Sequence, residues 1–328
     1  MVVFGHTMTG CISGSEENFI YNLIWSLQMP LFMMLSGYAA RWSRPVDSGR
    51  GYWQLFKKRT MAYILPWFVW TVIIRGGIFA QKNYLNIPWL LNHMDSGYWF
   101  LFSIWVISVI HGAAQLLAGK CAEFSLCRKR LGGGGLLLTA MFFAAGMVVV
   151  ALTGMLMGMT FLGTKLTLYY MPFYFAGYLY GKLSPKIERM AHGERIVDAV
   201  VALCCAGYMA VLLRVNLYTI ADNLQGIAVR ATASMLGCIA VCGLGRRPLE
   251  KTDSFGKMLT WIGQHTLEIY LVHYLLLCPM RIAEIPNFAE PTGVLLATGN
   301  FVLTMLLTVL SVQLLSSNLV LKKFLFWK

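Results

Sequence analysis

The chain has 328 residues, of which 58% are hydrophobic and 12% are charged, whereas charged residues make up about a quarter of an ordinary soluble domain. This composition excludes a soluble globular protein and predicts a multi-pass membrane protein. The net charge of +13 does not indicate a nucleic-acid partner, because no recognisable nucleic-acid motif accompanies the basic residues.

Nine apolar stretches come close to the length of about 20 residues that crosses the hydrocarbon core of a bilayer. Lipid cannot satisfy open backbone groups, so each stretch is predicted to be a helix. We therefore expect an all-α polytopic membrane helix bundle, a single transmembrane domain over residues 1–328. Its nine full spans are predicted at residues 22–40, 60–80, 98–117, 135–153, 166–181, 196–213, 226–244, 259–278 and 294–314.

Basic residues alternate between the segments that connect these spans. Twenty-one of the 27 lysines and arginines fall in every second connecting segment and in the C-terminal tail. Cytoplasmic loops carry such an excess of positive charge, so the C-terminus is predicted to be cytoplasmic. The same residues predict contact with anionic membrane lipid.

A histidine lies in the short apolar segment before the first full span. Residues 1–8 are too short to cross a membrane, and the loop 9–21 has no Lys or Arg, so we expect the outer part of an incomplete first helix. His6 would then lie close to the outer surface. An imidazole, with a pKa of about 6.5, can accept a proton from a hydroxyl group or carry an acyl group covalently. A purely structural histidine is the alternative.

Basic residues also flank the boundary before the second full span. Lys57, Lys58 and Arg59 end the connecting segment, and Arg41 and Arg44 begin it. Because Lys and Arg bind phosphate through charge-assisted hydrogen bonds, the cluster of Lys57, Lys58 and Arg59 is a candidate phosphate-binding site. The alternative is a cluster that only anchors the helix end.

Ionisable side chains inside a bilayer are costly and indicate functional candidates. In the last but one span, Thr266, Tyr270 and His273 follow the i, i+4, i+7 spacing of one helical face and form a predicted polar seam. The seam is either functional or a structural contact between helices. The ionisable candidates within the spans are His6, His111, Glu268 and His273.

The eight cysteines show no metal-ligand spacing, and no metal is expected. Cys121 and Cys127 lie in a predicted cytoplasmic loop, whereas Cys11 and Cys278 come near the outer side. We interpret the cysteines as small apolar packing residues.

Several segments carry a resemblance over nearly the whole chain. The late segment Gly263-x-x-Thr266-Leu267-x-Ile269-Tyr270-x-x-His273 has Thr266 where the family usually has serine. In order and spacing the segments resemble the acyltransferase 3 family, the membrane O-acyltransferases of bacterial surface glycans, and within it the compact fucose 4-O-acetylase-like group. They are Gly5-His6 and residues 28–38, 57–67, 98–101, 170–178 and 263–273.

The resemblance implies about ten spans in the bacterial inner membrane. It implies an acyl-CoA donor, usually acetyl-CoA, that enters from the cytoplasm, and an acceptor hydroxyl on a sugar of a cell-surface or lipid-linked glycan. It makes His6 the catalytic base or acyl carrier and His273 with Tyr270 an orienting or relay pair. Lys58 and Arg59, assisted by Arg41 and Arg44, would bind the donor phosphates.

Two alternatives remain open at this point. A flippase or exporter of lipid-linked sugar also needs many spans and buried polar groups, but needs neither a nucleophile nor a donor site. The chain could also be inactive: members of the family usually carry a basic residue eleven positions before the first-helix histidine, and here that position would precede Met1.

Overall fold

The computed structural model describes residues 1–94, 97–124, 134–190, 193–245, 254–280 and 286–327. Within these ranges the secondary structure is helical apart from an isolated bridge between Ser13 and Asn287, which confirms the predicted all-α polytopic membrane helix bundle. The α-helices are α1 (Val2–Cys11), α2 (Phe19–Ala40), α3 (Gly49–Arg59), α4 (Leu65–Phe68), α5 (Ile87–Asn92), α6 (Trp99–Phe124), α7 (Gly134–Met157), α8 (Thr164–Glu188), α9 (Gly193–Leu212), α10 (Leu224–Leu244), α11 (Ser254–Gln264), α12 (Thr266–His273), α13 (Pro291–Ser317) and α14 (Leu319–Phe326).

Seven helical segments in the described ranges are long and apolar enough to cross a membrane, and they coincide with seven of the nine predicted spans. Of the other two predicted spans, 166–181 lies in α8, whose five tyrosines make it less apolar. The seven segments are Phe19–Ala40, Gly49–Ile78, Trp99–Ala122, Gly135–Met157, Gly193–Leu212, Leu224–Leu244 and Pro291–Ser317.

The remaining prediction, one helix over 259–278, is wrong in its extent. The segment is divided at His265, whose backbone is not helical (φ −107°, ψ 19°), and the second part, α12, ends at His273. The chain that follows, residues 274–280, leaves the helical path, and Cys278 has a φ of +53°.

Helix α13 explains why residues 274–280 need not be helical. Asn300 receives a hydrogen bond from the backbone N–H of Met280 at 2.9 Å and donates one to its carbonyl oxygen at 3.1 Å. Thr304 donates to the carbonyl oxygen of Leu276 at 3.3 Å. These side chains replace hydrogen bonds that a helix would otherwise have to supply in an apolar environment.

The second full span begins earlier than the predicted 60–80. It starts with α3 and runs without a break from Gly49 to Ile78, through two π-helical stretches at Thr60–Ile64 and Val69–Ile78. Pro66 lies between these stretches and has no N–H to donate, so a locally widened helix accommodates the missing hydrogen bond.

Met1–Tyr38 and Ala176–Asn318 form one compact unit. In it α1 packs against α13, where the rings of Phe4 and Phe301 meet edge to face with centroids 5.2 Å apart. Helix α2 is tied to α9 by a hydrogen bond of 2.7 Å between the hydroxyl groups of Ser26 and Tyr208.

Ala39–Phe175 and Leu319–Lys328 form a second compact unit. Its most distinctive contact involves α14, a helix that the sequence did not predict in the basic tail. The indole N–H of Trp70 donates to the carbonyl oxygen of Leu325 at 2.9 Å, and the Trp70 ring stacks on Phe326 with centroids 6.0 Å apart. That residues 1–328 act as a single domain stays a prediction.

Within the first unit, α8 approaches α2 so closely that a Cβ atom on Gly177 would collide with the carbonyl oxygen of Met34. We expect Gly177→Ala to destabilise the protein by about 1–3 kcal/mol, because backbone must move to admit the methyl group. The measurement is the unfolding temperature in detergent. Gly119→Ala is the control, since nothing lies within 4 Å of the added Cβ there. Equal unfolding temperatures for the two variants would contradict the close approach.

Candidate active site

His6 lies at the middle of α1 with its imidazole ring partly exposed. None of the described residues forms a hydrogen bond with its ring nitrogens. The preceding residue, Gly5, allows α2 to come close: a Cβ atom at that position would lie 2.9 Å from Oε1 of Gln28 and 3.3 Å from Cγ2 of Ile24. The ring is therefore on a tightly packed helix yet available to a ligand.

His273, the last residue of α12, is completely buried. Its Nδ1 lies 3.0 Å from the carbonyl oxygen of Ile269. A carbonyl oxygen only accepts, so Nδ1 carries the proton and, in the neutral ring, Nε2 carries the lone pair. That Nε2 is buried without a hydrogen-bond partner in the described part of the chain. Its lone pair is therefore an unpaired hydrogen-bond acceptor.

The structure brings these two histidines together. Their ring centroids are 5.6 Å apart and the ring planes are inclined by 30°. Tyr274 places its ring edge-on to His6 at 5.4 Å, and Tyr270 lies 6.0 Å from His273. All three side chains predicted to do the chemistry thus meet in one compact unit, together with Tyr274, which the sequence had not singled out.

Thr266, the first residue of α12, makes local hydrogen bonds. Its hydroxyl group donates to the carbonyl oxygens of Ile262 at 3.0 Å and Gly263 at 2.9 Å. Both acceptors belong to the preceding helix, α11, so these hydrogen bonds span the break at His265.

A disulfide between Cys11 and Cys278, with Cα atoms 5.8 Å apart, joins the segments that carry the two histidines. The interpretation of these cysteines as packing residues is therefore wrong. Each cysteine lies five residues after one of the histidines, so the link holds His6 and His273 on neighbouring segments. The sequence could have indicated the disulfide, because both cysteines are predicted near the outer side of the membrane, where disulfides form.

Backbone hydrogen bonds and apolar side chains surround the disulfide. Ser13 and Asn287 form the bridge next to it: Ser13 N–H donates to the carbonyl oxygen of Pro286 at 3.1 Å, and Phe288 N–H donates to that of Ser13 at 3.0 Å. Apolar residues surround it, so the link is shielded from solvent. The buried residues of this cluster are Met8, Cys11, Ile12, Tyr21, Ile24, Cys278, Phe288, Leu296 and Ala297.

Among the other cysteines, Cys121 is free and exposed, and Cys204 and Cys238 are free and buried. Cys127 lies outside the described residues. No group of three or more potential metal ligands occurs in the part of the chain that the structure describes.

The four candidate cations belong to the second compact unit. Lys58 is exposed in the last turn of α3, and Arg59 donates to the hydroxyl group of Tyr63 at 3.0 Å. Arg44 is exposed, and the guanidinium carbon of Arg41 lies 4.2 Å from the ring centroid of Trp42. Their role as donor ligands stays a prediction.

The two remaining intramembrane candidates differ from the histidine pair. His111, also in the second unit, is buried and lies 3.4 Å from the hydroxyl group of Tyr174 and 3.3 Å from Nε2 of Gln115, which is the environment of a structural histidine. Glu268 is buried on α12, five residues before His273.

Comparison with protein families matches residues 1–316 to the acyltransferase domain of the acyltransferase 3 family. No match was found among curated proteins or among solved structures. The match covers both cysteines of the disulfide, both histidines and the four candidate cations.

The disulfide gives a direct chemical test. We expect a maleimide reagent to modify Cys121 in the folded, unreduced protein, but to modify Cys11 and Cys278 only after reduction. Cys11→Ser should lower the free energy of unfolding by about 2–4 kcal/mol, because the link closes a very long loop. Peptide mass spectrometry after alkylation and thermal unfolding in detergent check these outcomes. Alkylation of Cys11 and Cys278 without reductant would contradict the link.

Proposed function

The chain belongs to the acyltransferase 3 family and is a membrane acyltransferase, and we propose that it transfers an acetyl group from acetyl-CoA to a sugar hydroxyl of a cell-surface or lipid-linked glycan. The observation that carries the proposal is the His6–His273 pair, with one ring partly exposed and the other buried with a bare Nε2. The fucose 4-O-acetylase-like group is the subgroup proposed for it.

The reaction needs one proton acceptor and a site for the developing charge. The sugar hydroxyl oxygen attacks the carbonyl carbon of the thioester while an imidazole nitrogen of His6 takes the hydroxyl proton. The C–S bond then breaks, the sugar ester forms, and the proton passes from His6 to the sulfur of the leaving CoA, which departs as a thiol. No external oxidant, reductant or metal is required to balance this step.

His273 supports this role of His6 from inside the bundle. Its proton is held on Nδ1 by the Ile269 carbonyl group, so its Nε2 carries the lone pair of the neutral ring and is a potential acceptor. The two rings lie close, with centroids 5.6 Å apart, and Nε2 of His273 has no hydrogen-bond partner among the described residues. The ring of Tyr270 lies near that of His273, with centroids 6.0 Å apart.

The donor site is proposed on the basic residues Lys58 and Arg59, with Arg41 and Arg44 as secondary ligands. CoA carries several phosphate oxygens, which Lys and Arg bind through charge-assisted hydrogen bonds. Lys58 and Arg44 are exposed, so their charges are accessible to a soluble donor.

The proposed location is the bacterial inner membrane, with a cytoplasmic C-terminus. The alternation of basic segments supports this orientation. The disulfide supports it independently, because it falls on the predicted outer side, in an oxidising compartment. The free, exposed Cys121 falls in a predicted cytoplasmic loop.

The central test uses purified protein in proteoliposomes with radiolabelled acetyl-CoA and an envelope glycan extract. We expect His6→Ala to reduce label transfer by about 10²–10⁴-fold, the usual contribution of a general acid–base group. His93→Ala is the matched control, because His93 is exposed and lies in the other compact unit. Translocation of the glycan without label transfer by the wild-type protein would instead support a carrier.

The donor site has its own test. Lys58→Ala should raise the KM for acetyl-CoA by about 10-fold with little change in the KM for the acceptor, since a charged hydrogen bond to phosphate contributes about 1.5–3 kcal/mol and an exposed one the lower part of that range. Lys82→Ala removes an exposed lysine from a predicted outer loop and serves as the control. Equal KM values for the two variants would remove Lys58 from the donor site.

A further inference from the structure

A second buried acceptor without a partner lies against Gly5, the residue that precedes His6. Oε1 of Gln28 on α2 is buried and has no hydrogen-bond partner among the described residues, as is the case for Nε2 of His273. Buried polar atoms in folded proteins are nearly always hydrogen-bonded, so each exception needs an explanation. In a membrane enzyme, a ligand that supplies the missing hydrogen-bond donor is a direct explanation.

Gln28 lies against the helix that carries His6. Its Oε1 lies 2.9 Å from the place that a Cβ atom would take on Gly5, and Ile24, one turn earlier on α2, contacts the same place at 3.3 Å. The carboxamide group therefore rests against the α1 backbone one residue before His6. Glycine is the residue that leaves this space open.

The chemistry of the two unpartnered atoms restricts the ligand. Oε1 of Gln28 and, in the neutral ring, Nε2 of His273 are acceptors, so they need a ligand that offers hydrogen-bond donors. The acyl thioester group has a carbonyl oxygen and a sulfur and offers no donor. A sugar offers a donor at every free hydroxyl group.

We propose that Gln28 binds the acceptor sugar, with its Oε1 accepting a hydrogen bond from a hydroxyl group adjacent to the one that His6 deprotonates. This inference rests on the proposed function and adds a residue that selects for the acceptor. A ligand lacking the adjacent hydroxyl would leave the buried oxygen unsatisfied, which is how a polar site discriminates between related substrates.

The test compares Gln28→Met with the wild-type protein in proteoliposomes, with acetyl-CoA as donor and the lipid-linked glycan fraction of bacterial inner membranes as acceptor. Methionine keeps the length of the side chain and removes the acceptor oxygen. We expect the KM for the glycan to rise about 10-fold, the value of one hydrogen bond, with the KM for acetyl-CoA unchanged. The unfolding temperature of the unliganded protein should stay equal or rise, because an unsatisfied buried oxygen has been removed.

Two further variants make the result specific. Gln225→Met changes an exposed glutamine near the start of α10 in the same compact unit and should match the wild type in every parameter. Gly5→Ala leaves Gln28 in the sequence but places a methyl group against its Oε1, so it should raise the KM for the glycan in the same direction as Gln28→Met.

The outcomes separate this inference from the proposed function. If the wild type transfers acetyl groups and Gln28→Met behaves like Gln225→Met, the role of Gln28 is overturned and the proposed function stands. A lower unfolding temperature with an unchanged KM for the glycan shows a structural role and also overturns it. If the wild type transfers no acetyl group to the glycan fraction, the proposed function fails, and the role of Gln28 fails with it.

Discussion

The covalent link between Cys11 and Cys278 is the constraint on which the active-site arrangement depends. It joins segments 267 residues apart in sequence, and each half lies just beyond one of the paired histidines. Helix α1 has only ten residues, and a helix of that length does not hold its position by its own hydrogen bonds. The link, the Phe4–Phe301 contact and the bridge between Ser13 and Asn287 together give α1 a fixed place beside α12.

A second constraint is the satisfaction of backbone groups in an apolar medium. Residues 274–280 leave the helical path, which lipid alone would penalise. Asn300 and Thr304 supply the missing hydrogen bonds from α13, so this irregular segment can carry Cys278 to α1. Nε2 of His273 and Oε1 of Gln28, by contrast, have no hydrogen-bond partner among the described residues.

The sequence predicted the helices well for a physical reason. An apolar stretch of sufficient length has no alternative to a helix in lipid, so the predicted 22–40 and 226–244 differ from Phe19–Ala40 and Leu224–Leu244 by three residues or fewer. Prediction from the sequence failed where contacts between residues distant in the chain determine the local structure. Asn300 and Thr304 bind the non-helical residues after α12, and the disulfide depends on two cysteines that only the fold brings together. The resemblance pointed to His6 and His273, but their proximity, and the part of Gln28, required coordinates.

The small helix α14 has a consequence for how the protein can be handled. Its residues Leu325 and Phe326 are buried, and the indole of Trp70 depends on the Leu325 carbonyl group for its hydrogen bond. A truncation that removes the residues from Leu319 onward would remove the Leu325 carbonyl group, the hydrogen-bond acceptor of the Trp70 indole, and would expose the indole ring. Affinity tags for purification are therefore better placed after a spacer than fused directly to this end, and trimmed variants designed for crystallisation should retain it.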